Sequence, residues 1–237
     1  MSTQTYLMID LLSVLVPLAA SFHPAIGVYR RWGALLPAII CTAFFYVIWD
    51  AWFIHLGVWG FNRRYITGYY IGNLPVEEML FFFCIPYACV FTFDSFSALF
   101  AHERFTSRLK TVNYCLSAVF MSIALLYHTK HYTAAAFGLP ALLILFTNFF
   151  KTTWLLRFYL VYAILLIPFL IVNGLLTGTG LAAPVVWYNP NDILGPRILS
   201  IPVEDVFYGM GLVLLNVWLY QVLLQRYART LHLPKNK

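Results

Sequence analysis

The sequence predicts an all-α integral membrane fold of seven transmembrane helices, arranged as two parallel three-helix repeats joined by a linker helix. Three observations carry that expectation. The 237-residue chain is 62% hydrophobic and only 10% charged, with a mean hydropathy of +0.78, whereas charged residues supply about a quarter of a soluble domain. Six apolar runs reach the roughly 17 to 25 residues that a helix needs to cross the hydrocarbon core, and a seventh, interrupted by Gly138 and Pro140, still qualifies. The hexapeptide Asn73-Leu74-Pro75-Val76-Glu77-Glu78 has a partner 127 positions on, Ser200-Ile201-Pro202-Val203-Glu204-Asp205, and each opens an apolar run.

The first helix is expected near 6–22. It carries Asp10 and lacks the basic leader of a signal peptide, so it reads as a retained span. A turn at His23-Pro24 leads through Arg30 and Arg31 into a second helix near 34–57, where Asp50 lies among Tyr46, Trp49, Trp52 and Phe53. A charged side chain is costly in hydrocarbon, so Asp50 is expected to face the bundle interior and mark a functional site. The third helix, near 76–98, begins at the first acidic motif. Proline suits a first helical turn, where its missing N–H would have no partner. Asp94, near the far end, reads as an interfacial residue close to Arg104 or Arg108.

A fourth helix near 109–127 reads as the linker, and a fifth follows near 132–150. The sixth, near 154–176, is apolar until Asn173, and the seventh, near 202–225, opens on the second motif and carries Tyr208, Asn216 and Tyr220. Asn62 and Asn189 each stand thirteen positions before their motif prolines, which extends the duplication into the preceding loops. The chain then divides into a first repeat (1–105), a linker (106–130) and a second repeat with a basic tail (131–237). Three helices, a linker and three helices give both repeats the same orientation, related by an axis along the membrane normal.

Arg30, Arg31, Arg104, Arg108, Lys110, Lys151, Arg157, Arg226, Arg229, Lys235 and Lys237 fall on one side of the expected spans. Arg63, Arg64, Lys130 and Arg197 fall on the other. The positive-inside rule then places the N-terminus outside a cell membrane and the C-terminus in the cytoplasm. The net charge of +6 reads as this topology signal, with no nucleic-acid partner implied. Cys41, Cys84, Cys89 and Cys115 lie within expected helices, show no disulfide or metal-ligand spacing, and read as packing residues. There is no G-x-G-x-x-G after a strand and no Cys/His cluster, so neither a dinucleotide nor a metal is indicated. His55 alone reads as interfacial.

With parallel repeats both acidic pairs arrive at the same membrane face, and Asp10 and Asp50 lie at similar depth. Asp10, Asp50, Glu77, Glu78, Glu204 and Asp205 are therefore expected to line one cavity. Carboxyls crowded in low dielectric resist ionising together, which sets acids beside carboxylates and suits general acid–base chemistry. Successive helical residues point about 100° apart, so the two acids of a pair cannot both aim at one point. One is then the proton donor and the other its support. Aromatic residues make up 19% of the chain, and ring faces attract cations where water is excluded. Trp49, Trp52, Phe53, Trp59, Phe81, Phe82 and Tyr208 are the candidate substrate contacts, in a setting suited to carbocation chemistry on an apolar molecule.

Pro75-Val76-Glu77-Glu78 and Pro202-Val203-Glu204-Asp205, with Asp50, Trp52 and Trp59-Gly60-Phe61-Asn62 upstream, resemble the membrane lycopene cyclase domain family in its fused form. The resemblance covers nearly the whole chain. One departure is the less aromatic stretch after the second motif, where Gly209 and Gly211 stand opposite Phe82 and Cys84. What the resemblance implies is a lycopene β-cyclase: redox-neutral closure of lycopene to β-carotene through γ-carotene, without a cofactor, on carotenoids taken from the bilayer. It further implies one site shared by both motifs, with Glu77 and Glu204 as primary acid–base groups and Glu78, Asp205 and Asp50 tuning or relaying protons.

Rival readings remain. An ε-ring or C50 cyclase or a hydratase shares the protonation step, and a proton-coupled transporter also uses intramembrane acids in repeated three-helix units. A seven-helix retinal protein would need a lysine in the last helix, and none lies between Pro202 and Gln225.

Overall fold

A computed structural model describes residues 3–96, 107–150 and 152–230. Arg104, Lys151, Lys235 and Lys237, used above for orientation, lie outside the described residues. The described chain is helical: α1 (Thr5–Ala20), α2 (Trp32–His55), α3 (Val76–Ser95), α4 (Ser107–Leu126), α5 (His131–Phe149), α6 (Leu155–Leu176) and α7 (Val203–Thr230). Six helices are long and apolar enough to cross a membrane. The first is not: α1 has 16 residues, about 24 Å at 1.5 Å per residue against a core of about 30 Å. It stops at Ala20, and a one-turn 3₁₀ segment at Val28–Arg31 carries the chain into α2. Five of these helices contain an internal proline, Pro17, Pro37, Pro86, Pro140 and Pro168, which neighbouring helices make tolerable inside a bilayer.

Packing centres on α3 and α7. Helix α1 lies along α3 as α5 lies along α7, and α2 crosses to α7 as α6 crosses to α3; α4 packs on α5. Hydrogen bonds recur at the same spacing. The N–H of Tyr6 donates to the Tyr65 carbonyl at 3.1 Å, and 127 positions later Thr133 donates to Asp192 at 3.3 Å; Val76 donates to Tyr69 as Val203 donates to Pro196.

Between α2 and α3, and again between α6 and α7, the chain leaves the bundle and pairs with itself. Strand β1 (Trp59–Phe61) runs antiparallel to β4 (Val186–Tyr188), with Gly60 opposite Trp187. The Asn62 N–H donates to the Val185 carbonyl and the Asn189 N–H to that of Val58, both at 2.8 Å, so the two asparagines sit at equivalent ends of the ribbon. A Cβ on Gly60 would fall 2.5 Å from the Trp187 ring, which is why that position carries no side chain.

Two hairpins then deliver the motifs. Strands β2 (Tyr70–Ile71) and β3 (Leu74–Pro75) pair, as do β5 (Arg197–Ile198) and β6 (Ile201–Pro202). Pro75 is the residue before the helix and not its first member, with φ −59° and ψ 146°. It must stay extended because it pairs with Tyr70. At the far ends of the helices, Arg31 at the start of α2 is ion-paired with Asp94 of α3, and the Tyr220 hydroxyl of α7 donates to the same carboxylate at 2.8 Å. Asp94 is therefore a buried tie between three helices, and among the described residues its cation is Arg31 and not the expected Arg108; Arg104 lies outside the described residues.

The turn between β2 and β3 uses Gly72 at φ +64°, whereas the equivalent position between β5 and β6 is Leu199 at φ +58°. A left-handed conformation costs a side-chain-bearing residue about 1–2 kcal/mol, and Leu199 is exposed. Leu199→Gly is expected to raise stability by about 1 kcal/mol, seen as a higher unfolding midpoint of the detergent-solubilised protein, while Gly72→Leu lowers it.

Candidate active site

The two acidic pairs sit in the first turns of α3 and α7, where backbone N–H groups lack helical partners and favour nearby negative charge. Consecutive residues diverge there. Glu77 turns toward the loop before it and accepts the Thr67 N–H at 2.6 Å. Glu204 does the same with the Leu194 N–H at 2.5 Å and adds the Thr133 hydroxyl at 2.8 Å. Each acid thus fastens a segment ten residues upstream of itself.

Glu78 and Asp205 turn the other way, into the bundle. The Tyr6 hydroxyl donates to Glu78. Asp205 accepts from Tyr132 on one oxygen, and from Asn173 at 2.6 Å and Tyr188 at 3.0 Å on the other. Burial, and then the charge of Asp205, push the Tyr188 hydroxyl well above the usual tyrosine value, so it stays a donor. Asp50 is buried, has Trp59 as a hydrogen-bond partner, and keeps Oδ2 without one.

These three carboxyls meet at one end of a cavity of about 350 Å³ between α1, α3, α6 and α7. The rest of its wall is mostly aliphatic and aromatic, with Ser13, Cys89, Thr92 and Asn173 as exceptions, and residues of β1 and β4 cover the acidic end. Gly209 keeps the α7 wall open: a Cβ there would come within 3.3 Å of the Tyr162 hydroxyl, which is bonded to the Val206 carbonyl.

The six acids expected in one cavity therefore separate. Asp50, Glu78 and Asp205 line it; Asp10, Glu77 and Glu204 are buried outside the lining. Among the expected aromatic contacts, Trp59, Phe81 and Tyr208 face the cavity. Trp49, Phe53 and Phe82 stand behind them as a second layer, with Trp49 5.6 Å from Phe53 and 6.1 Å from Tyr208 between ring centres. Trp52 is 58% exposed on the outer surface of α2, because α2 turns its opposite face to α3 and α7. The sequence reading missed Tyr6, Tyr132 and Tyr188 as carboxyl partners. Asn173, the one amide near the end of an otherwise apolar α6, was a usable signal.

Rings surround the carboxyls closely. Trp59, Tyr132 and Tyr208 lie 5.1 to 6.0 Å apart between centres, and Tyr188 stacks on Tyr132 at 5.4 Å. Such a chamber can donate a proton, accept one, and face a transient cation with π-clouds while water is kept out.

A family model described as lycopene cyclase matches residues 3–96 and again residues 129–223. No curated protein and no solved structure matches the chain.

Since Glu204 satisfies one buried and one half-buried donor and Glu77 one half-buried donor, truncation strands them. Glu204→Ala is expected to lower stability by about 2–3 kcal/mol and Glu77→Ala by about 1–2. Glutamine at either position keeps an acceptor and recovers most of the loss, as read by thermal unfolding in detergent.

Proposed function

The chain belongs to the lycopene cyclase family, and we propose that within it this protein closes the ends of lycopene into β-rings, giving β-carotene through γ-carotene. The observation that carries this reading is the meeting of Glu78, Asp50 and Asp205 at the closed end of one apolar cavity walled by aromatic rings.

Glu78, bonded to one tyrosine only, is the donor. Its proton adds to C2 of the terminal double bond and leaves a cation at C1. The C5=C6 π-pair then forms the C1–C6 bond and moves the positive charge to C5. Loss of the C6 proton restores the C5=C6 double bond as a β-ring; one proton enters and one leaves, so no redox partner is required. Asp205 is the anion that faces the cation and the acceptor of that proton. Three of a carboxylate's roughly four lone-pair sites are filled by Tyr132, Asn173 and Tyr188, which leaves one for the substrate. Asp50, close enough to feel the charge of Glu78, returns the proton to it. Trp59, Tyr132 and Tyr208 stabilise the cation through their ring faces.

This assignment exchanges the roles expected within each pair. Glu78 and Asp205 act on substrate, and Glu77 and Glu204 hold the loops that close the chamber. We further read residues 1–105 and 131–237 as parallel repeats and 106–130 as their linker, with the N-terminus outside a cell membrane, the C-terminus cytoplasmic, and the acidic end in the outer half of the bilayer. Matching of the same family model to both halves supports the duplication. Carotenoid and lipid are the partners so implied.

Expression in a lycopene-producing host, with pigments separated by chromatography, tests the reading. The wild type is expected to yield β-carotene, and a product that has lost the C4 proton would identify an ε-ring instead. Glu78→Gln and Asp205→Asn should cut conversion by about 10²–10⁴-fold, with protein still in the membrane, while Glu77→Gln and Glu204→Gln keep most of it. Reaction in D₂O should place deuterium at ring C2; unlabelled product removes acid initiation.

A further inference from the structure

The cavity lies on the α6 side of the α3–α7 pair. Helix α2 packs closely on both α3 and α7, whereas α6, which stands 127 positions later in the same relation to them, touches the same two helices lightly. The space left between α6 and the α3–α7 pair is the cavity. Helix α6 is also the most apolar of the long helices, with a mean hydropathy of 2.4, and the least buried. In its second half Pro168 lacks an N–H and crowds the Ile164 carbonyl, which weakens the helix where it borders the cavity.

Exposure changes along the lining. At the acidic end Asp50, Glu78, Asp205, Tyr6 and Tyr132 are all buried. Along the α1 and α6 walls the lining is open: Ser13, Pro17 and Phe169 are half-buried and Pro168 is exposed, and Val172, beside Asn173 nearer the acidic end, is half-buried. Residues from Glu78 to Thr92 of α3 line the cavity, a reach of about 20 Å at 1.5 Å per residue. An extended C40 polyene is about as long as the hydrocarbon core is thick, roughly 30 Å. It cannot fit whole.

We propose that the seam between α1 and α6 is a lateral portal, through which one end of a linear polyene slides from the bilayer to the carboxyls while its other end stays in lipid. This rests on the carotenoid reading of the site. The polarity of the wall fits that occupant: away from the carboxyls the lining is mostly aliphatic and aromatic carbon, with Ser13, Cys89 and Thr92 as the polar exceptions, and the charged groups wait at the far end. Each visit presents one end group to Glu78, and a one-ring product has to leave by the same seam before its second end can enter.

The test uses the full-length protein in lipid nanodiscs loaded with lycopene, reading both pigment retained per protein and cyclic product formed. Ser13→Trp on α1 and Val172→Trp on α6 narrow the seam from its two sides, and either suffices if the other fails to fold. Leu142→Trp places the same bulk on the exposed face of α5, away from the portal. Retention is expected to fall about tenfold or more in the seam variants and to stay at the wild-type level in Leu142→Trp. Equal retention in all three overturns the portal. The function fails separately: a wild type that retains lycopene through the seam yet forms no ring sinks the cyclase reading and leaves the portal standing.

Discussion

A carboxyl taken out of water must find hydrogen-bond donors, and the architecture follows from how four of them do so at two helix starts. Glu77 and Glu204 are buried where apolar helices begin, and the donors they use are loop N–H groups, Thr67 and Leu194. An acid left unpaired there would cost several kcal/mol, so the loops cannot lift away without exposing that cost. Those same loops form the β1–β4 ribbon, and the ribbon covers the cavity. Anchoring one acid of each pair in this way also fixes the rotation of α3 and α7. The neighbouring residue, about 100° around the helix, then points inward.

Duplication supplies two such acids, and divergence makes them unequal. Glu78 has one hydroxyl partner and Asp205 has three donors. Where one half places Phe82, the other places Gly209, and the room gained goes to the chamber and to Tyr162. Close packing of α2 and loose packing of α6 against the same two helices is the larger form of the same asymmetry. A fully symmetric bundle would have two half-sized sites or none. Looser packing on the α6 side leaves an elongated apolar cavity with Glu78 and Asp205 at its tip.

Much of this was legible in the chain before any coordinates. Hydropathy located every helix, and the offset of 127 between Pro75 and Pro202, shared by Asn62 and Asn189, located the ribbon ends. Less legible was anything that depends on rotation about a helix axis. In each acidic pair the inward member is chosen by β3 and β6, whose pairing holds Pro75 and Pro202 extended; those two-residue strands leave no periodic signal. Trp52 was misplaced for the same reason, since α2 is apolar all round and its sequence does not say which stripe meets α7. Tyr6 and Tyr132, which bond Glu78 and Asp205, come from 72 and 73 positions away, and a lone tyrosine in an apolar helix looks like any interfacial ring. The cations that follow Asp94 most closely in sequence are Arg104 and Arg108, whereas helix packing brings Arg31 to it across 63 positions.

One measurement reaches the centre of the account: a cryo-EM map of the protein in lipid with lycopene bound to an inactive Glu78→Gln form. The terminal isoprene unit should lie among Trp59, Tyr132 and Tyr208 with C2 against the residue-78 side chain and the C6 face toward Asp205, while Glu77 and Glu204 remain bonded to their loops. An end group seated beside Glu77 or Glu204, or one that lies on the outer surface with Glu78 and Asp205 turned away from it, would contradict it.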